Sequence, residues 1–298
     1  MATINTTQTS LSPSTSLRAE RLADVWYAFR RNPVTLIGAG LVLLIFIVGL
    51  IAPLIAPYGP LTQHIALGAS PPSAQFFLGT DQFGQDILSR IIYGARLDLL
   101  IALCGVLVSM LIGSALGAVA GFVDGWVDEI LMRLMDILQA FPRFIFAMGV
   151  AFALGPGLFT VIIATATLNI PGYARLMRGQ IQSLKRSQFA RAAVSIGNPA
   201  ARVLFLHLLP NSLGPVLVMS TLQCGWAILE AAGLSFIGLG VSVPTAEWGV
   251  MINMGLQDFL KGNWWSYTFP GLAIALTVLG FNLLGDGLDD VLDPRRHR

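Results

Sequence analysis

Charged side chains are scarce in this sequence. Only 11% of its 298 residues are Asp, Glu, Lys or Arg, whereas 55% are hydrophobic. Because a soluble domain carries about 25% charged residues, water is the wrong solvent for most of this surface. The composition therefore excludes an ordinary soluble domain and predicts a protein embedded in a membrane.

The residue patterns of enzymes and metalloproteins are also missing. Cys104 and Cys224 lie in apolar runs, at a spacing that fits no metal or redox motif. The three histidines, His64, His207 and His297, are scattered. Neither an H-E-x-x-H pattern nor a G-x-x-x-x-G-K-[ST] phosphate-binding loop occurs. We therefore expect no catalytic residue, no metal site and no cofactor on this chain, and ATP chemistry would belong to another chain.

Long apolar runs are abundant. A membrane-spanning helix needs about 20 mostly apolar residues. Six segments qualify, namely 34–56, 97–122, 130–154, 158–173, 212–239 and 267–284. The sequence thus predicts an all-α membrane protein with six transmembrane helices. The third segment is the least regular, because Arg133, Asp136 and Arg143 interrupt it.

These segments predict the organisation of the chain. The expected parts are an N-terminal tail (1–33), a first transmembrane helix (34–57), a loop (58–96), a transmembrane core (97–290) and a C-terminal tail (291–298). A large loop of the core, 174–211, carries six basic residues and no acidic residue. Such a loop faces either anionic lipid or a partner protein in the cytoplasm.

The distribution of basic residues predicts the orientation, because lysine and arginine accumulate on the cytoplasmic side of short loops. With the N-terminus inside, Arg90, Arg96 and Lys261 lie outside and Arg143 lies within a span. The remaining members of the 18 lysines and arginines all lie inside. We therefore expect both termini to be cytoplasmic, with the loop 58–96 outside.

The inner loop contains the pattern of a short amphipathic helix. Apolar residues recur at i, i+3, i+4 and i+7, which predicts one apolar stripe; they are Phe189, Ala192, Ala193 and Ile196. Gly197, Asn198 and Pro199 then end the helix. Periodicity alone leaves membrane-surface packing and protein docking equally open.

Several strings of residues resemble a known family. Arg191-Ala192-Ala193, then Gly197, then Leu209-Pro210 have the spacing of the EAA loop in membrane subunits of binding-protein-dependent ABC importers. Further strings resemble the second permease component of the dipeptide, oligopeptide and nickel branch: residues 77–81, 84–86, 229–231, 234–240, 246–249, 285–288 and 292–294. The resemblance covers roughly residues 30 to 295.

The resemblance implies a type I ABC permease fold with a cytoplasmic coupling loop. The implied partners are a homologous permease, two ATPase subunits that hold ATP and magnesium, and an extracytoplasmic binding protein, in the bacterial cytoplasmic (inner) membrane. Membrane lipid surrounds the chain, and nucleic acid has no role. The implied ATPase-coupling residues are Phe189, Arg191, Ala192, Ala193, Ile196, Gly197, His207, Leu209 and Pro210.

Two positions depart from the family pattern. Arg191 stands where the EAA loop usually has glutamate, and His207 stands where the general pattern has isoleucine. A salt bridge that the glutamate makes is therefore not expected in the same form here. Docking through shape and apolar contact is compatible with both changes.

Two charged residues fall within predicted spans and are candidates for the translocation pathway. Arg143 follows Pro142 in the third span, and Glu230 lies in the fifth. An arginine at the centre of a membrane helix costs about 2.5–3.5 kcal/mol on insertion scales. Arg143 is therefore expected to snorkel, to line a hydrated cavity, or to pair with Glu230 or Asp136.

The function expected from the resemblance is transport of a small solute through half of a shared pathway. Dipeptides, oligopeptides, nickel chelates, glutathione and opine-like conjugates all fit this branch. A stand-alone secondary transporter or channel is the alternative, but it calls for ion-coupling residues and often for an internal repeat, of which few signs are visible. An intramembrane enzyme would need paired catalytic groups.

The predicted topology has a direct test. A reporter active only in the cytoplasm, fused after Arg298, should be active, and the same reporter inserted near Gly262 should be inactive. The reason is the accumulation of basic residues on one side. Equal activity at both positions would contradict the six-span topology.

Overall fold

The computed structural model describes Arg30 and residues 32–292. Most of the predicted N-terminal tail and the C-terminal residues 293–298 therefore lie outside the described residues, as do six of the basic residues used for the orientation. Within the described range every regular element is helical, apart from two isolated β-bridges, Gln63–Gln85 and Thr80–Asp86. The predicted all-α class is confirmed.

Eleven α-helices and one π-helical segment make up this described range. They are α1 (Pro33–Leu50), α2 (Ala52–Ile55), α3 (Ile87–Val123), α4 (Gly125–Ala140), α5 (Arg143–Leu154), α6 (Leu158–Lys185), α7 (Gln188–Ser195), α8 (Ala200–Arg202), the π-helical segment Val203–Leu208, α9 (Leu209–Phe236), α10 (Trp248–Phe259) and α11 (Trp265–Leu292).

Long apolar helices supply most of the predicted spans. Among the described residues, four helices are long and apolar enough to cross a membrane, and there are five spans if the bent pair α4 and α5 counts as one broken span. The predicted fourth span corresponds to α6, which has 28 residues. At 1.5 Å per residue α6 is about 42 Å long, more than the roughly 30 Å of a bilayer's hydrocarbon core. The sixth span therefore stays a prediction that rests on the length of α6.

The third predicted span, 130–154, is wrong as a single straight helix. α4 and α5 meet at an angle of 90°. Phe141 is extended, with φ −85° and ψ 139°, because a residue before proline is disfavoured in the helical region. Arg143 is consequently the first residue of α5 and does not lie in the middle of a helix.

Other boundaries also differ from the prediction. α3 begins at Ile87, ten residues before the predicted start, because the Asp86 carboxylate caps it by accepting from the N–H of Ser89 at 2.8 Å. Residues 240–266, between the predicted fifth and sixth spans, contain α10, and the loop 174–211 is largely helical. Its non-helical part is confined to short connections on either side of α7.

The centre of the bundle is the pair α3 and α6, against which α9 packs, while α11 packs on α9 and α1 on α11. Three glycines of α3 allow this close approach. A Cβ at Gly113, Gly117 or Gly121 would overlap the backbone or side chains of α6 between Ile170 and Ile181. The glycine spacing therefore serves packing within the subunit.

The two ends of the bundle are distinct. We call them the α7 end and the α10 end. At the α10 end, Arg90 is almost fully buried and contacts Gln85, Asp81 and the carbonyl of Thr245. Burial is the largest influence on the pKa of Asp81 and raises it, although two backbone N–H groups and Arg90 act in the opposite direction. Asp81 thus serves a turn that the buried arginine supports.

The glycine contact predicts a selective effect of substitution. Gly117→Val should destabilise the subunit by about 1–3 kcal/mol, because the added side chain meets the backbone of Ala174. Gly40→Val, on an open surface of α1, is the matched control. Thermal unfolding of the purified complex should show a lower midpoint for Gly117→Val alone, and equal midpoints would contradict the packing.

Candidate functional site

The inner loop folds into the short helix that its sequence predicts. Ser187 caps α7 by accepting from the N–H of Ala190, and Gly197 adopts φ 82°, a left-handed conformation that suits glycine at a helix end. The Asn198 side chain then donates to the carbonyl oxygen of Ala193 at 3.0 Å. The predicted helix and its C-terminal signal are both confirmed.

The faces of α7 differ in part from the prediction. Phe189, Ala192 and Ile196 are exposed, and 80% of Ile196 is accessible. Ala193 was expected on the same stripe, but it is only 6% exposed and packs into the subunit's own core with Ala190. Since successive helical residues are 100° apart, positions 190 and 193 lie about 60° apart and share the inward side. The prediction missed Ala190, which marks that side.

The last part of the predicted coupling site is the start of the fifth membrane helix. Val203–Leu208 is π-helical and continues directly into α9. Pro210 has no N–H to donate to the helix. The N–H of Leu209 donates to the carbonyl oxygen of Leu204, five residues earlier, which is the π-helical pattern. His207 and Leu209 are half-buried and Pro210 is exposed. The π-helical segment therefore adjoins α7, which it contacts directly.

Ion pairs join α4 and its N-cap residue to the C-terminal part of α6. Lys185 lies 2.6 Å from Asp124, Arg178 makes two contacts of 2.5 Å with Asp128, and Arg175 lies 2.7 Å from Asp136. From the sequence, these bases are expected to face lipid or a partner protein. The acidic residues on and just before α4 were the visible sign of these contacts. The partners are 39 to 61 residues apart in the sequence, so the pairing could not be inferred from local spacing.

Three other basic residues at the α7 end have no acidic partner in the described part of the chain. Arg186, Arg191 and Arg202 are exposed and have no ion-pair partner within the described range. Lys185, in contrast, donates to the Phe122 carbonyl at 2.7 Å as well as to Asp124. The α7 end thus presents unneutralised positive charge.

The two pathway candidates contact each other. The Nε atom of Arg143 donates to Oε1 of Glu230 at 2.9 Å, and its Nη2 donates to Oδ1 of Asn169 at 2.9 Å. Of the alternatives for Arg143, pairing with Glu230 is confirmed, whereas Asp136 pairs with Arg175. The Arg143 side chain is 51% exposed and that of Glu230 is 12% exposed.

The depth of this cluster follows from helix geometry. Asn169 lies eleven positions after the start of α6 at Leu158, which corresponds to about 17 Å along a helix of about 42 Å. Asn169, Glu230 and Arg143 belong to α6, α9 and α5, so the cluster connects three helices near the middle of the bundle. A half-exposed arginine at this depth is suited to face a polar space rather than lipid.

Comparison with known proteins identifies the family. Residues 113–298 match the model of the binding-protein-dependent transport system inner membrane component. The chain belongs to this family. Residues 21–72 also match the N-terminal transmembrane domain of oligopeptide transport permease C. The matches include α7 and the helices on either side of it, which is the region that the EAA spacing indicated.

Curated relatives support the same assignment across nearly the whole permease. The chain is 42% identical to the di/tripeptide transport system permease protein of Pseudomonas aeruginosa, over 92% of each chain. It is 38% identical to the dipeptide transport system permease protein of Bacillus subtilis, over 92% of this chain and 86% of that protein. It is 43% identical to the glutathione transport system permease protein of Salmonella paratyphi A, over 91% and 90%.

The chain is thus a permease subunit of an ABC importer, with the type I permease fold, and it crosses the inner membrane several times. The stand-alone transporter is the weaker interpretation, because this family works with binding proteins. In the permease, α7 is a short exposed helix between α6 and α9, and the Arg143 cluster lies deeper between the same two helices.

The Arg143 cluster predicts non-additive effects. Arg143→Met should destabilise the permease by about 1–3 kcal/mol, because it leaves the mostly buried Glu230 carboxylate without its cation. Adding Glu230→Gln should recover most of that loss. Thermal unfolding of the two single variants and the double variant gives the coupling. Strictly additive effects would show that the pair does not contribute to stability.

Proposed function

We propose that this permease forms half of a translocation pathway for peptides or a closely related solute, and that ATPase subunits act on it through α7. The names of the relatives support a peptide-like substrate, and they include di/tripeptide, dipeptide and glutathione transport. The other half of the pathway would come from a homologous permease. An extracytoplasmic binding protein would deliver the solute at the α10 end.

The observation that carries the proposal is the division of α7 into two sides. Ala190 and Ala193 fix the helix to the subunit, while Phe189, Ala192 and Ile196 remain exposed beyond the end of α6. A contiguous exposed apolar patch favours contact with a partner, and Phe189, Ala192 and Ile196 form such a patch on a helix that its neighbours anchor. Gly197, His207, Leu209 and Pro210 would act by shaping the connection from α7 to α9.

The proposed function also fixes the side of the membrane on which the α7 end lies and the subunit that holds ATP. The α7 end and both termini would be cytoplasmic, since the unpaired bases Arg186, Arg191 and Arg202 lie at the α7 end. ATP and magnesium would be held by the ATPase subunits, and this chain would make and break no covalent bond. Arg143 and Glu230 would line the pathway that α5, α6 and α9 enclose.

The mechanism then follows from connectivity. ATP-driven closure of the ATPases would displace α7, which is joined to α6 by Arg186 and Ser187 and to α8 by residues 196–199. The two long helices would move with it, and the pathway would open alternately to either side. A solute released by the binding protein would enter in the outward-open state and leave after ATP hydrolysis.

The docking proposal predicts the effect of one charged substitution. Ile196→Asp should abolish recovery of the ATPase with the permease and abolish uptake, because an unpaired carboxylate buried in an interface costs at least about 2 kcal/mol. Permease abundance should stay normal, since Ile196 is 80% exposed and does not belong to the hydrophobic core.

Two further variants make the experiment specific. Leu260→Asp places the same change on a 92% exposed residue after α10 and should leave ATPase recovery unchanged. Ala193→Asp should instead lower permease abundance, because Ala193 belongs to the core. Normal ATPase recovery and uptake with Ile196→Asp would overturn docking through α7.

A further inference from the structure

Two clefts lie beside α7 on the flank away from Ile196. One has a volume of about 470 Å³ and the other about 530 Å³. Arg191 and Lys185 line both of them, so Arg191 stands on the ridge between the two clefts. The walls are completed by the end of α3, the end of α6 and α8. Both clefts are open to the solvent at the α7 end.

The charges of these clefts are not balanced within the subunit. The smaller cleft is lined by Lys185, Arg186 and Arg191, against the single carboxylate of Asp124. The Nζ atom of Lys185 donates to that carboxylate and also lies 5.4 Å from the centre of the Phe122 ring. Two guanidinium groups are therefore left without an ion-pair partner in the part of the chain that the structure describes.

We propose that the ATPase surface that docks on α7 is acidic where it meets Arg191, and that one of its carboxylates enters the cleft that Arg186 and Arg191 line. The proposal rests on the proposed function, because it assumes that the ATPase docks here. In this contact the permease supplies the positive charge of arginine, and the partner supplies the negative charge of aspartate or glutamate. A guanidinium binds a carboxylate through two parallel hydrogen bonds, which adds geometric selectivity.

A protein carboxylate fits these clefts better than a lipid headgroup does. α6 is about 42 Å long, about 12 Å more than a hydrocarbon core of about 30 Å, and Lys185 is its last residue. α7 follows that end. A helix lying in the membrane surface turns its apolar side to lipid, whereas the side of α7 towards the bundle is filled by Ala190 and Ala193.

The position of Arg191 on α7 also favours one continuous protein surface. Ile196 and Arg191 are about 140° apart around the helix at 100° per residue. A partner that covers the exposed side of α7 would therefore meet apolar residues on one flank and arginine on the other. The apolar flank would supply affinity, and the arginine flank would select the matching ATPase and set its orientation.

The test uses recovery of the importer's own ATPase subunits with the full-length permease in detergent, where no bilayer is present. Arg191→Glu should reduce recovery about tenfold, because like charges would face each other in the cleft. Arg191→Lys should keep recovery within about threefold of wild type, since the charge remains. Arg202→Glu is the matched control, because Arg202 is exposed near α7 but lines neither cleft.

The outcomes separate the possible explanations. A tenfold loss with Arg191→Glu and none with Arg202→Glu supports the proposal, as does weaker salt dependence of recovery for Arg191→Glu. An effect that appears only in vesicles containing anionic lipid, and not in detergent, would assign Arg191 to lipid and overturn it. Equal losses for both charge reversals would reduce the effect to net charge and also overturn it.

Failure of this inference can be told apart from failure of the docking proposal. If Ile196→Asp abolishes ATPase recovery while Arg191→Glu leaves it normal, the ATPase docks through apolar contact and the acidic surface is refuted. If neither variant changes recovery, the ATPase does not dock on α7 at all. Permease abundance should be normal for Arg191→Glu, because Arg191 has no contact that folding depends on among the described residues.

Discussion

The close contact of α3 with α6 determines where the other functional elements lie. It depends on Gly113, Gly117 and Gly121, because any side chain at these positions would overlap α6. The contact brings the end of α3 beside Lys185, which binds the Phe122 carbonyl and the Asp124 carboxylate. α4 therefore starts at the α7 end of the bundle and runs back along α6. The clefts beside α7 exist because these two helix ends meet there.

α4 is held differently from the helices of the core. Met135 is the one buried residue of α4, a helix that the structure describes in full, and three ion pairs attach it to α6. Partly exposed ion pairs contribute about 0–1 kcal/mol each, so the attachment of α4 is weak beside the apolar packing of α3 on α6. Both ends of α4 are also breaks in the helical path, at Asp124 and at Phe141–Pro142.

Local signals made the class, most spans and α7 predictable. Gly197-Asn198-Pro199 ends α7 as expected, and the apolar runs locate the spans of α1, α3, α9 and α11. The break before Arg143 was visible in Pro142 but was outweighed by the apolar residues around it. The contacts between α4 and α6, and the burial of Ala190 and Ala193, were not predictable in the same way. They depend on which helices become neighbours, and an alanine on an amphipathic helix fits an inner side and an outer side equally well.

α7 and the Arg143 cluster are connected through the same two helices. Asn169 belongs to α6, which leads into α7, and Glu230 belongs to α9, which continues the chain after α8 and the π-helical segment. Arg143 binds both of them from α5. A displacement of α7 relative to α3 thus acts on α6 and on α9 together, and Arg143 can keep both partners only while these helices hold their relative position. The cluster therefore joins the two long helices that flank α7 in the chain, although no residue of α7 contacts Arg143 within the described structure.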